Sequence, residues 1–283
     1  MTEAVVKPYD INIRKDMFGK IKIKGKDSSQ KYVKITLGTL AVLTVLAFST
    51  FDYKGVDIIK AIAQTLANMK NMFFEAELTH FTLSDAIHEM EITISLAFLT
   101  TVIGSAVALI LGLFAAKNLS IPLVSNIIKA IVSFIRAVPT VLWVLIFAVT
   151  AGLGSEAAVI GMTFHTVGYL IKAYSETFEE IDEETLQALK ASGASWWQIV
   201  FQAVLPSSMG YLLVWTFMRF EINFTNGVAM GAAAGAGGIG FELFMASDFY
   251  FNIREVGFIT ISILICAISL EIFSTKIKVK YLK

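Results

Sequence analysis

Cysteine is almost absent. One residue, Cys266, stands among 283, which excludes an internal disulfide and any cysteine-based metal site. Charge is also scarce, at 16%, where a soluble domain carries about 25%. No Gly-x-x-x-x-Gly-Lys-Ser/Thr phosphate loop occurs, so the chain cannot hydrolyse ATP alone. No nucleophile or metal constellation is present either, and this argues against a membrane enzyme with a catalytic site. Nothing points to nucleic acid.

Apolar sequence is abundant. A spanning helix needs about 20 mainly apolar residues. Six segments qualify, at 35–51, 91–114, 126–150, 156–175, 207–231 and 256–275. Most are rich in Gly, Ala and Ser, as close helix packing in lipid requires. The runs are continuous, not alternating, which argues against a β-barrel. The expected fold class is an all-α polytopic membrane protein with about six transmembrane helices. The first apolar segment follows a long basic stretch without a small-residue cleavage site and reads as a retained span.

The net charge is zero but uneven. Lys and Arg crowd residues 1–34 and 276–283, so the positive-inside rule predicts basic tails and both termini in the cytoplasm. Residues 35–90 hold the first span and a net acidic external loop. In that loop Val56, Ile59, Ala63, Leu66, Met69 and Phe73 recur at helical spacing, predicting an amphipathic helix on the outer membrane surface. Ser84 is the expected cap of the second span. His80 and His88 read as ordinary interfacial residues, with no third ligand for a metal. Residues 91–275 form the expected five-helix core.

Between the fourth and fifth apolar segments lies a polar, helix-forming stretch from Glu184 to Pro206. Asp182 suits its N-cap, and Glu183 and Glu184 suit the positive end of the helix dipole. Gly193 allows a bend into a second short helix, Ser195 to Val204. Pro206 then opens the fifth span. Trp196 and Trp197 suit the headgroup region or an apolar groove on a partner. The stretch reads as a docking lever on the cytoplasmic surface, spanning 182–206.

Gln187, Ala188, Leu189, Gly193, Leu205 and Pro206 resemble the EAA loop of ABC-importer permeases, with Gln187 in place of the usual Glu and Leu189 in place of the second Ala. The resemblance narrows with Arg136-Ala137-Val138-Pro139-Thr140, His165 to Gly168, and Arg219-Phe220-Glu221-Ile222-Asn223. Together with the glycine-rich run they resemble phosphonate-type (PhnE-like) permeases from about residue 90 onward. The resemblance implies a type I ABC importer permease fold in a bacterial plasma membrane. It implies that Gln187, Ala188, Gly193, Trp196, Trp197, Leu205 and Pro206 couple to a separate ABC ATPase dimer, which holds the ATP and Mg; this chain binds no cofactor. An external substrate-binding protein would deliver the cargo. Six spans do not easily enclose a pathway, so a second copy or a paralogue is expected. Phosphite, hypophosphite and a phosphorylated cofactor such as thiamine phosphate are alternative cargoes. An ion-coupled secondary transporter is the alternative mechanism; it predicts more midplane carboxylates than Glu221 and paired repeats.

A deep Arg costs about 2.5–3.5 kcal/mol on insertion scales and normally faces a cavity or partner. Arg219 and Asn223, four residues apart, share a face and are expected to line a polar pathway. Glu221 is then free to pair with Arg136. A purely structural Arg219–Glu221–Arg136 network is the competing expectation. His165 reads as a helix-packing hydrogen-bond partner ahead of a substrate contact. Gly235, Gly237, Gly238 and Gly240 match Gly-x-Gly-x-x-Gly, but they follow a spanning helix without a βαβ unit, which excludes a dinucleotide site. They read as a non-helical gate or external exit.

Overall fold

The computed structural model describes residues 13–15, 21–23, 28–51 and 55–281. Most of the basic N-terminal segment therefore lies outside the described residues. The chain divides into two units, Met1–Ala61 and Ile62–Lys283. In the first, two short antiparallel strands, β1 (Ile13–Lys15) and β2 (Ile21–Ile23), pair Arg14 with Lys22. Helix α1 (Ser28–Thr50) follows, and its apolar residues are exposed along its length.

Helix α2 (Ile58–Phe74) bears the predicted apolar stripe and buries none of its residues. Helix α3 (Leu83–Ala115) begins at Thr82, not Ser84. The Thr82 hydroxyl accepts from the Asp85 N–H while the Asp85 carboxylate accepts from the Thr82 N–H, a closed capping box. Thr93, Ala97, Thr100, Thr101, Gly104, Ala108, Gly112 and Ala115 form one buried seam along α3. Apart from the adjacent Thr100 and Thr101 they recur every three or four residues, and their small size lets neighbouring backbones approach.

Helices α4 (Pro122–Ala137) and α5 (Thr140–Ala151) replace the third predicted span with a pair bent by 90°. Pro139 disfavours helical geometry at Val138, which is extended instead (φ −95°, ψ 126°). The break is held by the Trp143 indole N–H, which donates to the Ile135 carbonyl across it at 2.9 Å. Helix α6 (Ser155–Glu179) packs against α3 and α5. An added Cβ at Gly161 would lie 2.6 Å from the Val144 backbone, and one at Gly104 would meet Thr166.

The lever follows as α7 (Glu183–Ala191) and α8 (Trp196–Ile199). Gly235, Gly237 and Gly238 lie between helix α9 (Leu205–Ala234) and α10 (Ile239–Phe244); Gly240, expected to be non-helical, falls within α10, and α11 (Ile253–Tyr281) ends the described chain. Four helical stretches among the described residues are long and apolar enough to cross a membrane. They are Gln30–Thr50, Leu83–Ala115, Trp196–Ala234 and Ile253–Tyr281, with a fifth if the bent pair counts as one. Six were predicted. The fourth predicted segment does form a 25-residue helix, α6. It falls short on apolarity because it carries Glu156, His165 and Lys172.

Candidate functional site

The lever divides into two faces. Asp182 caps α7 as expected, accepting from the Glu184 N–H. Gly193 takes φ +84°, the left-handed conformation that ends a helix cheaply only at glycine. Leu186, Ile199, Val200 and Val204 are buried against the ends of α3 and α6, in a cluster with Leu113, Leu170, Tyr174 and Phe178. Gln187, Ala188, Trp197 and Phe201 face outward. Gln187 is held by Glu183, whose carboxylate accepts its amide N–H at 3.2 Å.

Two expectations about the lever change. The tryptophans do not act alike. Trp196 is half-buried and stacks on Phe114, with ring centroids 5.5 Å apart, while Trp197 is 58% exposed and stacks on Phe201. The helix is also not interrupted at Pro206. It runs continuously from Trp196 to Ala234 through a π-helical turn at Val200–Val204. Proline has no N–H to donate and its ring crowds the carbonyl four residues back. Widening to the π pattern just ahead of it, with the Leu205 N–H on the Val200 carbonyl, relieves that conflict.

Where α3, α6 and α9 meet, a polar cluster forms around Arg219 and Asn223, which are 2% and 0% exposed. The Asn223 amide donates to the Thr101 and Thr166 hydroxyls at 2.9 and 3.0 Å. The Arg219 Nε–H donates to the Thr166 hydroxyl at 3.1 Å. Its Nη2 lies 3.1 Å from His165 Nδ1, and the guanidinium sits 5.0 Å from the centre of the Tyr169 ring. His165 of α6 thus contacts Arg219 of α9 directly.

The predicted carboxylate pairing is absent. None of the ion pairs among the described residues includes Arg136, Arg219 or Glu221. Arg136, on α4 just ahead of the Pro139 bend, is exposed beside Gly168 of α6, and Glu221, two residues on from Arg219, points to another side of α9 and is half-buried. The structural ion-pair network fails for the same reason. Arg219 is left as a buried cation with neutral neighbours and with N–H donors to spare. The cluster's small hydroxyls, Thr101 and Thr166, and the Tyr169 ring carry no distinctive sequence signal. An apolar groove of ≈ 590 Å³ lies beside it, among Ile103, Ile131, Ile135, Phe164 and neighbours. Among its lining residues only Thr163 offers a donor and none is charged, so the polar cluster is the better candidate for an anion.

At the far end of α9 the glycine run makes a non-helical return. Gly235, Gly237 and Gly238 have φ of +61°, +75° and +76°. Gly240 presses on the Val228 carbonyl and Gly231 on the Gly237 carbonyl, so α10 lies back against α9. The Ile239 N–H donates to Thr93, which joins the return to α3.

A clasp between the segment after α2 and the start of α11 went unpredicted. Glu255 is fully buried and accepts from the Thr79 and His80 N–H groups at 2.9 and 2.7 Å and from the His80 ring at 2.6 Å. The His80 ring stacks on Tyr250 at 3.8 Å, and Arg254 pairs with Glu75 and Glu77. These contacts fasten the segment after α2 to the start of α11.

Near this clasp Glu242 is half-buried. Burial pushes its carboxyl up, and the Glu89, Glu255 and Asp85 carboxylates push the same way. A carboxyl raised by folding binds its proton more tightly in the folded chain, so its stabilising contribution is complete at acid pH and is lost as pH rises through the raised value. Glu242→Gln should therefore raise the melting temperature at neutral pH. The difference should vanish below the ordinary carboxylate range. A pH-independent difference in thermal melts would refute the assignment.

A bundle of spanning helices carrying a surface lever, a buried cationic cluster and a glycine-built return defines a multi-pass membrane transport protein. Residues 108–281 match the model of the binding-protein-dependent transport system inner membrane component family, and the chain belongs to that family. It is 29% identical to the phosphate-import permease protein PhnE of Mycolicibacterium smegmatis over 82% of this chain and 38% of that one. It is 32% identical to the phosphite transport system permease protein PtxC of Stutzerimonas stutzeri over 64% of this chain and 66% of that one. The chain thus spans less than two thirds of either relative. Its fold matches an inward-facing structure of the MetNI methionine ABC transporter at TM-score 0.61 and 20% identity, over 71% of this chain and 97% of that one. The type I importer permease fold is the one found.

Proposed function

We propose that this chain is the permease subunit of an ATP-driven importer of phosphonate or a related phosphorus oxyanion in the bacterial plasma membrane. Arg219 carries the cargo part of the reading. A guanidinium 2% exposed, without a carboxylate partner among the described residues, is an incomplete ion pair. Taking a cation out of water is unfavourable by several kcal/mol unless an anion joins it. A phosphorus oxyanion suits the fork of donors. The names of the two relatives support the same cargo class, phosphate for one and phosphite for the other. Arg219, His165 and Asn223 form the core of the pathway, and Arg136, exposed beside Gly168 of α6, and Glu221 complete it.

The outward lever face carries the energy part. Gln187, Ala188, Trp197 and Phe201 offer an apolar, aromatic knob between polar helix ends, the form in which a helix seats in a partner's groove. An ABC ATPase dimer is the partner, with ATP and Mg held there. An external binding protein delivers the cargo, and a second copy or a paralogue completes the pathway. Both termini lie in the cytoplasm, on the lever side. Transport is by alternating access: ATP closes the ATPase dimer, the lever moves, and Gly235, Gly237, Gly238 and Gly240 form the external exit.

Trp197→Ala should weaken co-purification with the ATPase by at least about tenfold, the effect of truncating an aromatic interface anchor. Thermal stability should be unchanged because the ring is mostly exposed. Full retention of the ATPase would sink the docking assignment. Uptake of phosphonate, phosphite, phosphate and thiamine phosphate by the reconstituted transporter sorts the cargo. Uptake of none of them would overturn the oxyanion reading.

A further inference from the structure

We propose that Trp196 is a positioning residue that ties the lever to the α3–α4 turn, so that lever movement reaches α4 as well as α9. The inference rests on the coupled-transporter reading above. Covalent continuity already joins the lever to α6 and α9. Nothing in the chain order joins it to α4, which follows α3 some sixty residues earlier. Trp196 supplies a direct hydrogen bond from the lever to the turn, beside the indirect route through the end of α6. Its indole N–H donates to the Leu119 carbonyl, in the middle of the α3–α4 turn, at 2.8 Å. Its ring stacks on Phe114 in the last turn of α3, with planes 11° apart.

The turn it grips is a rigid body. The Ser125 hydroxyl of α4 donates to the Ala115 carbonyl of α3 at 2.6 Å. Glu179, at the end of α6, accepts from the Lys117 N–H at 2.8 Å and pairs with Lys129 of α4 at 2.6 Å. The Asn118 amide donates to the Phe178 carbonyl at 2.8 Å. A force on Leu119 therefore moves α4 as a unit. The far end of α4 packs Ile135 against Gly168 of α6, where a Cβ would lie 2.8 Å from Ile135. Gly168 lies within one helical turn of His165 and Tyr169, the neighbours of Arg219.

The competing view is that Trp196 only fills space under the lever. It predicts that removing the ring loosens the lever everywhere. The positioning role predicts a selective effect, because the turn keeps its Ser125, Asn118, Lys117 and Lys129 bonds without Trp196.

The test uses the full chain in complex with its ATPase, with Cys266→Ser and a single reporter cysteine at exposed Asn126 on α4 or exposed Ser207 on α9. An environment-sensitive fluorophore on each reads the response to a non-hydrolysable ATP analogue. Without further substitution both reporters should respond. With Trp196→Ala the Asn126 response should fall at least fivefold while the Ser207 response persists, and uptake per ATP should fall about tenfold. Trp196→Phe keeps a ring on Phe114 and removes only the hydrogen bond. It should give an intermediate Asn126 response, and it serves if the Ala variant does not assemble. An undiminished Asn126 response in either variant, or an equal loss at both reporters, overturns the positioning role. Silence of both reporters before any Trp196 substitution would instead overturn the coupled-transporter reading, and this inference with it.

Discussion

Arg219→Ala should reduce uptake about 100-fold and leave the helix bundle folded, with no loss of thermal stability. The two halves of that expectation come from one fact. The guanidinium is 2% exposed and is met by the Thr166 hydroxyl, the His165 ring and the Tyr169 face, none of them anionic. Hydrogen bonds to a charged group contribute about 1.5–3 kcal/mol each. Two such bonds from the fork to an oxyanion are worth roughly 3 kcal/mol or more, which is about 100-fold at 1.4 kcal/mol per decade. Against this, a buried Arg costs about 2.5–3.5 kcal/mol to place in the bilayer, and its removal relieves that cost. The Thr101–Asn223–Thr166 bonds survive the change, so α3, α6 and α9 remain joined. Arg219→Lys keeps the charge and loses the bidentate fork, and should sit between the two with about a tenfold loss. Radiolabelled phosphonate uptake in proteoliposomes and thermal unfolding in detergent check both halves. A destabilised but transport-competent Ala variant would make Arg219 a structural residue.

The elements were legible in the sequence wherever a local rule acts alone. Apolar runs marked the helices; Asp182 and Gly193 marked the two ends of α7 because a cap and a left-handed residue are local requirements. Gly235, Gly237 and Gly238 were legible as non-helical for the same reason, whereas Gly240, expected in the same non-helical stretch, lies inside α10. The i,i+4 spacing put Arg219 and Asn223 on one face. What the sequence withheld was the set of partners. Arg136 and Glu221 invited pairing as opposite charges in the third and fifth predicted spans, yet Arg136, just ahead of the 90° bend at Pro139, is exposed and makes no ion pair among the described residues. The hydroxyls that do hold the cluster, Thr101 and Thr166, look like ordinary small residues of a helix seam. Trp196 and Trp197 are adjacent and chemically alike, but successive helical positions lie about 100° apart. One ring therefore meets Leu119 and the other faces out. His80 and Glu255 are 175 positions apart, beyond the reach of any periodicity argument.

Gly240→Ala should be far more damaging than Gly235→Asn, although both sit in the same glycine run. The two positions need glycine for different reasons. At Gly235 the backbone is left-handed (φ +61°, ψ 34°), and an added Cβ meets nothing within 4 Å. That conformation costs an ordinary L-residue about 1–2 kcal/mol, and Asn tolerates it better than most. Gly235→Asn should therefore lose no more than about 1 kcal/mol. Gly240 faces a steric limit instead. Its Cβ would be driven into the Val228 carbonyl, with the Val228 Cα 2.9 Å away, so no rotamer change relieves the contact. Backbone must move, and overpacking of this kind costs about 1–3 kcal/mol or more. The movement lifts α10 off α9 and pulls Ile239 from Thr93, the bond that ties the return to α3. Uptake should fall at least tenfold in Gly240→Ala and less than twofold in Gly235→Asn. Lever docking to the ATPase should be intact in both, since the return lies at the opposite end of α9. Normal uptake by Gly240→Ala would show that the tight return of α10 onto α9 plays no part in the external exit.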